Sequence, residues 1–93
     1  MDRFDDMTAF VAVAEAGSFT AAADRLDVAK SAVSRRISAL ETRLGVQLIR
    51  RTTRRLSLTE SGLAFYERSQ RILADLDEAE SAITEAHGTL SGS

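Results

Sequence analysis

Ninety-three residues, 44% of them hydrophobic, suit one small folded domain with an appended element and leave little volume for a substrate cavity beside its core. The absence of Cys excludes a disulfide framework, a thiolate metal site and a Cys nucleophile; no apolar run opens the chain as a secretory signal or approaches the ~20 residues of a membrane span, so a cytoplasmic protein is expected. The net charge of −2 would argue against a nucleic-acid partner if it were evenly spread, but it is not.

Phe4, Met7, Phe10, Val11 and Ala14 recur at helical spacing, which predicts a first helix over roughly residues 3 to 16 that stops at Gly17. Ser18 or Thr20 can cap a short second helix carrying Ala22, Ala23 and Leu26 and ending near Asp27. Its small side chains let a neighbouring helix come close, as a tight helix-turn-helix requires. The third helix is predicted from Lys30 to Leu44, stopped by Gly45, with Val33, Ile37, Leu40 and Leu44 turned to the core. At about 100° per residue, Ser31, Ser34, Arg35, Ser38 and Thr42 fall on the opposite side.

Leu48 to Thr52 and Arg55 to Leu58 read as two short strands around a turn near Thr53-Arg54, a wing without the Gly or Asn of a strong hairpin signal. Thr59 can cap a last helix running to about His87, about 42 Å long and free of proline. On it, Phe65, Ile72, Leu76, Ala79, Ile83 and Ala86 form a coiled-coil-like seam. So long a helix outruns the domain, which predicts a partner, most simply the same helix of a second copy; its opening turns could instead pack back onto the first helix. Gly88 to Ser93 has linker composition, either a hinge or an artificial tail.

Charge is segregated along these elements. Residues 1–29 hold six acids against two arginines, a net −4. Residues 30–56 hold Lys30, Arg35, Arg36, Arg43, Arg50, Arg51, Arg54 and Arg55 against Glu41 alone, a net +7. Residues 57–93 hold seven acids against two arginines, a net −5. The middle block is either a solvated basic face or a site for a polyanion. The small hydroxyl side chains on the outer face of the third helix favour the second reading, because they let backbone approach a DNA groove. Arginines crowded into the wing are favourable where phosphates neutralise them. An enzyme is not expected: the only His, His87, is read as a solvated side chain, and no metal-ligand or nucleophile constellation accompanies it. The pairs Asp5-Asp6 and Asp77-Glu78 are read as solubilising or helix-end charges. A protein-interaction module, in which the long helix does the work and the wing meets an acidic protein, is the rival reading.

Ala14-Glu15-Ala16-Gly17-Ser18-Phe19-Thr20-Ala21-Ala22-Ala23, Ala32-Val33-Ser34-Arg35-Arg36-Ile37, Leu40-Glu41, Leu44-Gly45, Arg51-Thr52 and Leu58-Thr59-Glu60-Ser61-Gly62 stand in the order and spacing of the LysR-type regulators, and the resemblance spans nearly all of residues 4 to 87. It implies a mainly α fold, a winged helix-turn-helix of three helices and a two-stranded wing over residues 1–58, followed by a linker helix over 59–87 that dimerises, and a hinge or tail over 88–93. It implies a homodimer on pseudo-palindromic double-stranded DNA, with a small-molecule effector sensed only by a separate C-terminal domain, and no cofactor, metal or membrane.

The DNA-contacting residues expected on this basis are Lys30, Ser31, Ser34 and Arg35 toward the major groove and Arg51, Thr52, Arg54 and Arg55 toward phosphates. The dimer contact is expected at Phe65, Ile72, Leu76, Ala79 and Ile83. The chain departs from the family where specificity is read. Ala29-Lys30-Ser31 stands where many members have Ser-Gln-Pro, Thr53 where Gly is common and Arg50 where an acid is common. Lys30 donates hydrogen bonds but cannot accept them, which favours guanine O6/N7 over an adenine edge.

Overall fold

The computed structural model describes residues 2–51 and 56–91. Helix α1 covers Arg3–Ala16, α2 Phe19–Leu26, α3 Lys30–Leu44 and α4 Glu60–Ser91, with strands β1 at Ile49–Arg51 and β2 at Leu56–Leu58. The helix ends follow local chemistry. The Asp2 carboxylate accepts from the Phe4 N–H at 3.0 Å to start α1, and the Ser18 hydroxyl accepts from the Ala21 N–H at 3.0 Å to start α2. Gly17 and Gly45 close α1 and α3 with φ of 82° and 71°, a left-handed conformation that a Cβ disfavours. Asp27 ends α2 at φ 58°, a region Asp visits more readily than most residues.

The core lies where α1, α2 and α3 cross. Phe10, Val13, Ala22, Val33, Ile37 and Leu40 are buried there, and Leu48 and Ile49 close it from the wing side. Alanines at 9, 12, 22 and 23 let the helix axes approach. The strands pair antiparallel in the register Ile49 with Leu58, Arg50 with Ser57 and Arg51 with Leu56, and Leu48, expected to open the first strand, precedes it. The wing turn expected at Thr53-Arg54 lies outside the described residues.

Helix α4 begins where Thr59 ties two elements together. Its hydroxyl donates to the Gln47 carbonyl at 2.6 Å and accepts from the Gly62 N–H at 2.9 Å. Gly62 and Ser69 are buried and Phe65 and Tyr66 half-buried, a spacing of three, one and three that lays one face of the opening turns on the domain. From residue 74 to 87 every described side chain is exposed, so the far half of α4 has no cover within its own chain.

Three expectations are corrected. Leu44 is 43% exposed rather than in the core, because α3 has already passed beyond the domain at its last turn. Asp6 is fully buried, not a solubilising charge, and meets the Arg43 guanidinium at 3.1 Å. The last helix runs on to Ser91 through the segment read as linker; a single Gly costs a helix only about 1 kcal/mol and no proline is present to end it.

Candidate nucleic-acid interface

The α3 surface divides as its periodicity requires. Val33, Ile37 and Leu40 are buried, while Lys30, Ser31, Arg35, Ser38 and Thr42 are exposed and Ser34 is half-buried at the edge of the same face. Lys30 and Ser31 stand in the first turn. Ala29, at the cap position, offers no side-chain acceptor, so the first N–H groups of α3 remain open to an outside acceptor. A row of short hydroxyls flanked by two cations therefore forms the outward face of the second helix of a helix-turn-helix. Arg36 lies to one side, half-buried, and its Nε has no hydrogen-bond partner among the described residues.

The wing adds positive charge beside this face. Arg50 and Arg51 are exposed on β1. Arg51 is not a loose side chain: its Nη2 lies 3.4 Å from Glu41 Oε1, and its guanidinium carbon lies 5.8 Å from the centre of the Phe19 ring, within cation–π range. Thr52, Arg54 and Arg55 fall outside the described residues. The structure thus brings Lys30, Ser31, Ser34 and Arg35 together on one helix face and places Arg51 on the adjacent strand.

In the sequence Glu41 stood as the isolated acid of a basic block and within the Leu40-Glu41 pair of the resemblance, with no role assigned to it. Its Oε2 accepts from the backbone N–H groups of Leu48 at 2.8 Å and Ile49 at 3.2 Å, so one carboxylate links α3, the chain before the wing and Arg51. Its solitary place in a basic block, together with its place in the Leu40-Glu41 pair, was the signal that could have marked it. A second network joins three helices: Glu15 of α1 takes Nη2 of Arg25 from α2 at 2.6 Å and the Tyr66 hydroxyl of α4 at 3.2 Å, and Gln70 donates to that hydroxyl at 2.9 Å. The hydrogen bond from Arg25 holds the Glu15 carboxyl below its usual 4.5 despite partial desolvation. Desolvation, then the Glu15 charge, raises the Tyr66 hydroxyl above its usual 10.0.

The seam on α4 divides in two. Phe65 turns inward, its ring 5.5 Å from that of Phe10 at 53°, so its packing is with its own α1. Ile72, Leu76 and Ile83 are 48%, 38% and 64% exposed, and Ala79 is exposed between them. Among the described residues there is no group of His, Cys, Asp or Glu that could hold a metal ion, and no helix is long and apolar enough to cross a membrane.

Comparison with known proteins places this arrangement. The family model for bacterial regulatory helix-turn-helix proteins of the lysR family matches residues 4–63. An HTH-type transcriptional regulator of Xanthomonas campestris pv. campestris is 53% identical over 79 residues, covering 85% of this chain and 23% of the relative. The fold is similar to the BenM DNA-binding domain in its complex with catB site 1 DNA, with a TM-score of 0.86 and 38% identity over 91% of this chain and 93% of that one. It is also similar to the CbnR DNA-binding domain in its DNA complex, with a TM-score of 0.82 and 40% identity over 94% of this chain and 99% of that one. The curated relatives are named as transcriptional regulators, and the chain spans about a quarter of their length. The chain belongs to the lysR family of bacterial regulatory helix-turn-helix proteins.

Proposed function

We propose that this chain is the sequence-specific, double-stranded DNA-binding module of a bacterial transcription regulator and works as a homodimer. The observation that carries the reading is the outward face of α3, short hydroxyls between Lys30 and Arg35 with Arg51 alongside, in a fold similar to two DNA-binding domains solved with DNA. Helix α3 enters a major groove with Lys30, Ser31, Ser34 and Arg35 against it. The wing, through Arg51 and with Thr52, Arg54 and Arg55, meets flanking phosphates or the minor groove and fixes the register. Residues 1–58 form the reading head, residues from 59 onward the linker helix, and Ile72, Leu76, Ala79 and Ile83 the contact with a second copy. Effector sensing belongs to a C-terminal domain of the full-length regulator, and the regulator works in the cytoplasm without a cofactor or catalytic step.

The test of the reading head is base preference. Wild type and Lys30→Gln are each used to select duplexes from a pool randomised over one half-site. The reading predicts that guanine enrichment in the wild-type selection gives way to adenine in the variant; identical selected sequences would remove Lys30 from base contact. Arg35→Ala is expected to weaken binding to the selected duplex by about 1–3 kcal/mol, and unchanged affinity would remove Arg35 from the site.

A further inference from the structure

An acid beside a DNA-binding surface repels the phosphates that surface must meet, yet Glu41 is the one acid among residues 30–56, facing eight cations. Its position shows what it does. Leu48 and Ile49 are buried to within 1% of their surface, and their backbone N–H groups reach no water; the Glu41 Oε2 supplies the acceptor for both, at 2.8 and 3.2 Å. That contact fixes the chain entering β1 against the last turn of α3, and so fixes wing against recognition helix.

The other carboxylate oxygen faces Arg51 at 3.4 Å, and Phe19, at the start of α2, lies under the same guanidinium at 5.8 Å. A guanidinium carries five N–H donors in a rigid fork. Held on one edge by Glu41 and on one face by Phe19, it has further donors without a partner among the described residues, and its side chain is 43% exposed. A long side chain already held in place gives up less freedom on binding than one that must be ordered by its ligand.

We propose that Glu41 and Phe19 are positioning residues for the wing, holding Arg51 with its other guanidinium edge aimed at a backbone phosphate in register with α3. The proposal rests on the DNA-binding reading and deepens it: Glu41 trades some non-specific attraction for a fixed distance between groove contact and phosphate contact. The sign of the Glu41→Gln effect separates this from simple repulsion. Gln keeps an oxygen for the two N–H groups and removes the charge opposite Arg51. A bystander acid, once neutralised, would leave every duplex bound more tightly.

The experiment is a double-mutant cycle on the 93-residue chain, using a duplex selected by wild type from a randomised pool and a scrambled duplex of equal length, with melting followed by circular dichroism. In wild type, Arg51→Ala is expected to weaken the selected duplex about tenfold and to reduce the slope of log affinity against log salt by about 0.9, the loss of one phosphate. Glu41→Gln is expected to lower the preference for the selected duplex about tenfold, without loosening the scrambled one. In that background Arg51→Ala is expected to cost less than about threefold. Equal tightening of both duplexes by Glu41→Gln, or an Arg51→Ala loss equal in both backgrounds, overturns the proposal. If Glu41→Gln fails to fold, Phe19→Leu supplies the second cycle, and there too an undiminished Arg51→Ala loss overturns it. A wild-type chain that does not prefer its selected duplex overturns the underlying DNA reading instead, whatever the variants do.

Discussion

Gly62 shows how much one missing side chain can matter. A Cβ there would overlap the Leu48 carbonyl oxygen and lie 2.9 Å from its carbon, both backbone atoms that cannot swing aside. The same carbonyl accepts from the Thr59 N–H at 2.9 Å, so moving it breaks the start of α4 as well. Gly62→Ala should therefore destabilise the chain by about 3 kcal/mol, the upper end of overpacking costs, measured by urea unfolding; a loss under about 1 kcal/mol would mean that α4 shifts freely on the domain. Asp6 offers a second residue-scale test. Its carboxylate is fully buried, one oxygen meets Arg43 and the other has no partner among the described residues. Arg43→Ala leaves that charge uncompensated and should cost about 2 kcal/mol, clearly more than Arg25→Ala at the exposed Glu15 pair; equal costs would show that solvent reaches Asp6 readily. Neither residue's role could be read from sequence, since Asp6 looks like any first-turn acid until α3 is known to end beside it.

The helices themselves were legible because their signals are local. Gly17 and Gly45 stop helices by backbone conformation, Ser18 and Thr59 start them by offering an oxygen, and the four-residue step from Val33 to Ile37 marks the buried face of α3. Leu44 obeys the same periodicity and still lies outside the core, because periodicity assigns a face and not the length over which that face is covered. Between elements, the network of Glu15, Arg25, Tyr66 and Gln70 was invisible in sequence for a related reason: its members are 4 to 51 positions apart. It makes a pH prediction. The folded-state value of Glu15 lies below 4.5, so its contribution is present above about that pH and is lost as pH falls through the folded value. Glu15→Gln should flatten the stability profile below pH 4.5 by under about 1 kcal/mol, the range of a solvent-screened pair. An unaltered acid limb in urea titrations would show that the pair contributes nothing to folding.

Over the whole molecule, a winged domain carries a helix whose far half has no cover of its own, extending the long axis to 53 Å against 24 and 23 Å across. The exposed row of Ile72, Leu76 and Ile83 is large for a surface that meets only water, and the acids Asp75, Asp77, Glu78 and Glu80 between them suit the rim of such a contact. If a second copy covers it, Leu76→Glu with Ile83→Glu should give a monomer in analytical ultracentrifugation with helicity of the winged domain retained, and should weaken binding to a two-half-site duplex far more than to one half-site. An unchanged sedimentation coefficient would place the dimer contact elsewhere. The three- and four-residue steps mark the apolar row but not its partner, since the same spacing serves both: Phe65 packs on Phe10 of α1, the alternative the sequence left open for the opening turns.

The most direct test of a sequence-specific reading head is a fluorescence-anisotropy titration of the chain against its selected duplex and a scrambled duplex of equal length, at two salt concentrations. The account predicts tighter binding to the selected duplex by at least a hundredfold, weakening steeply with salt as several phosphate contacts require. Equal affinity for the two duplexes, or no binding at low salt, would contradict it and would turn attention from the α3 face to the protein contacts of α4.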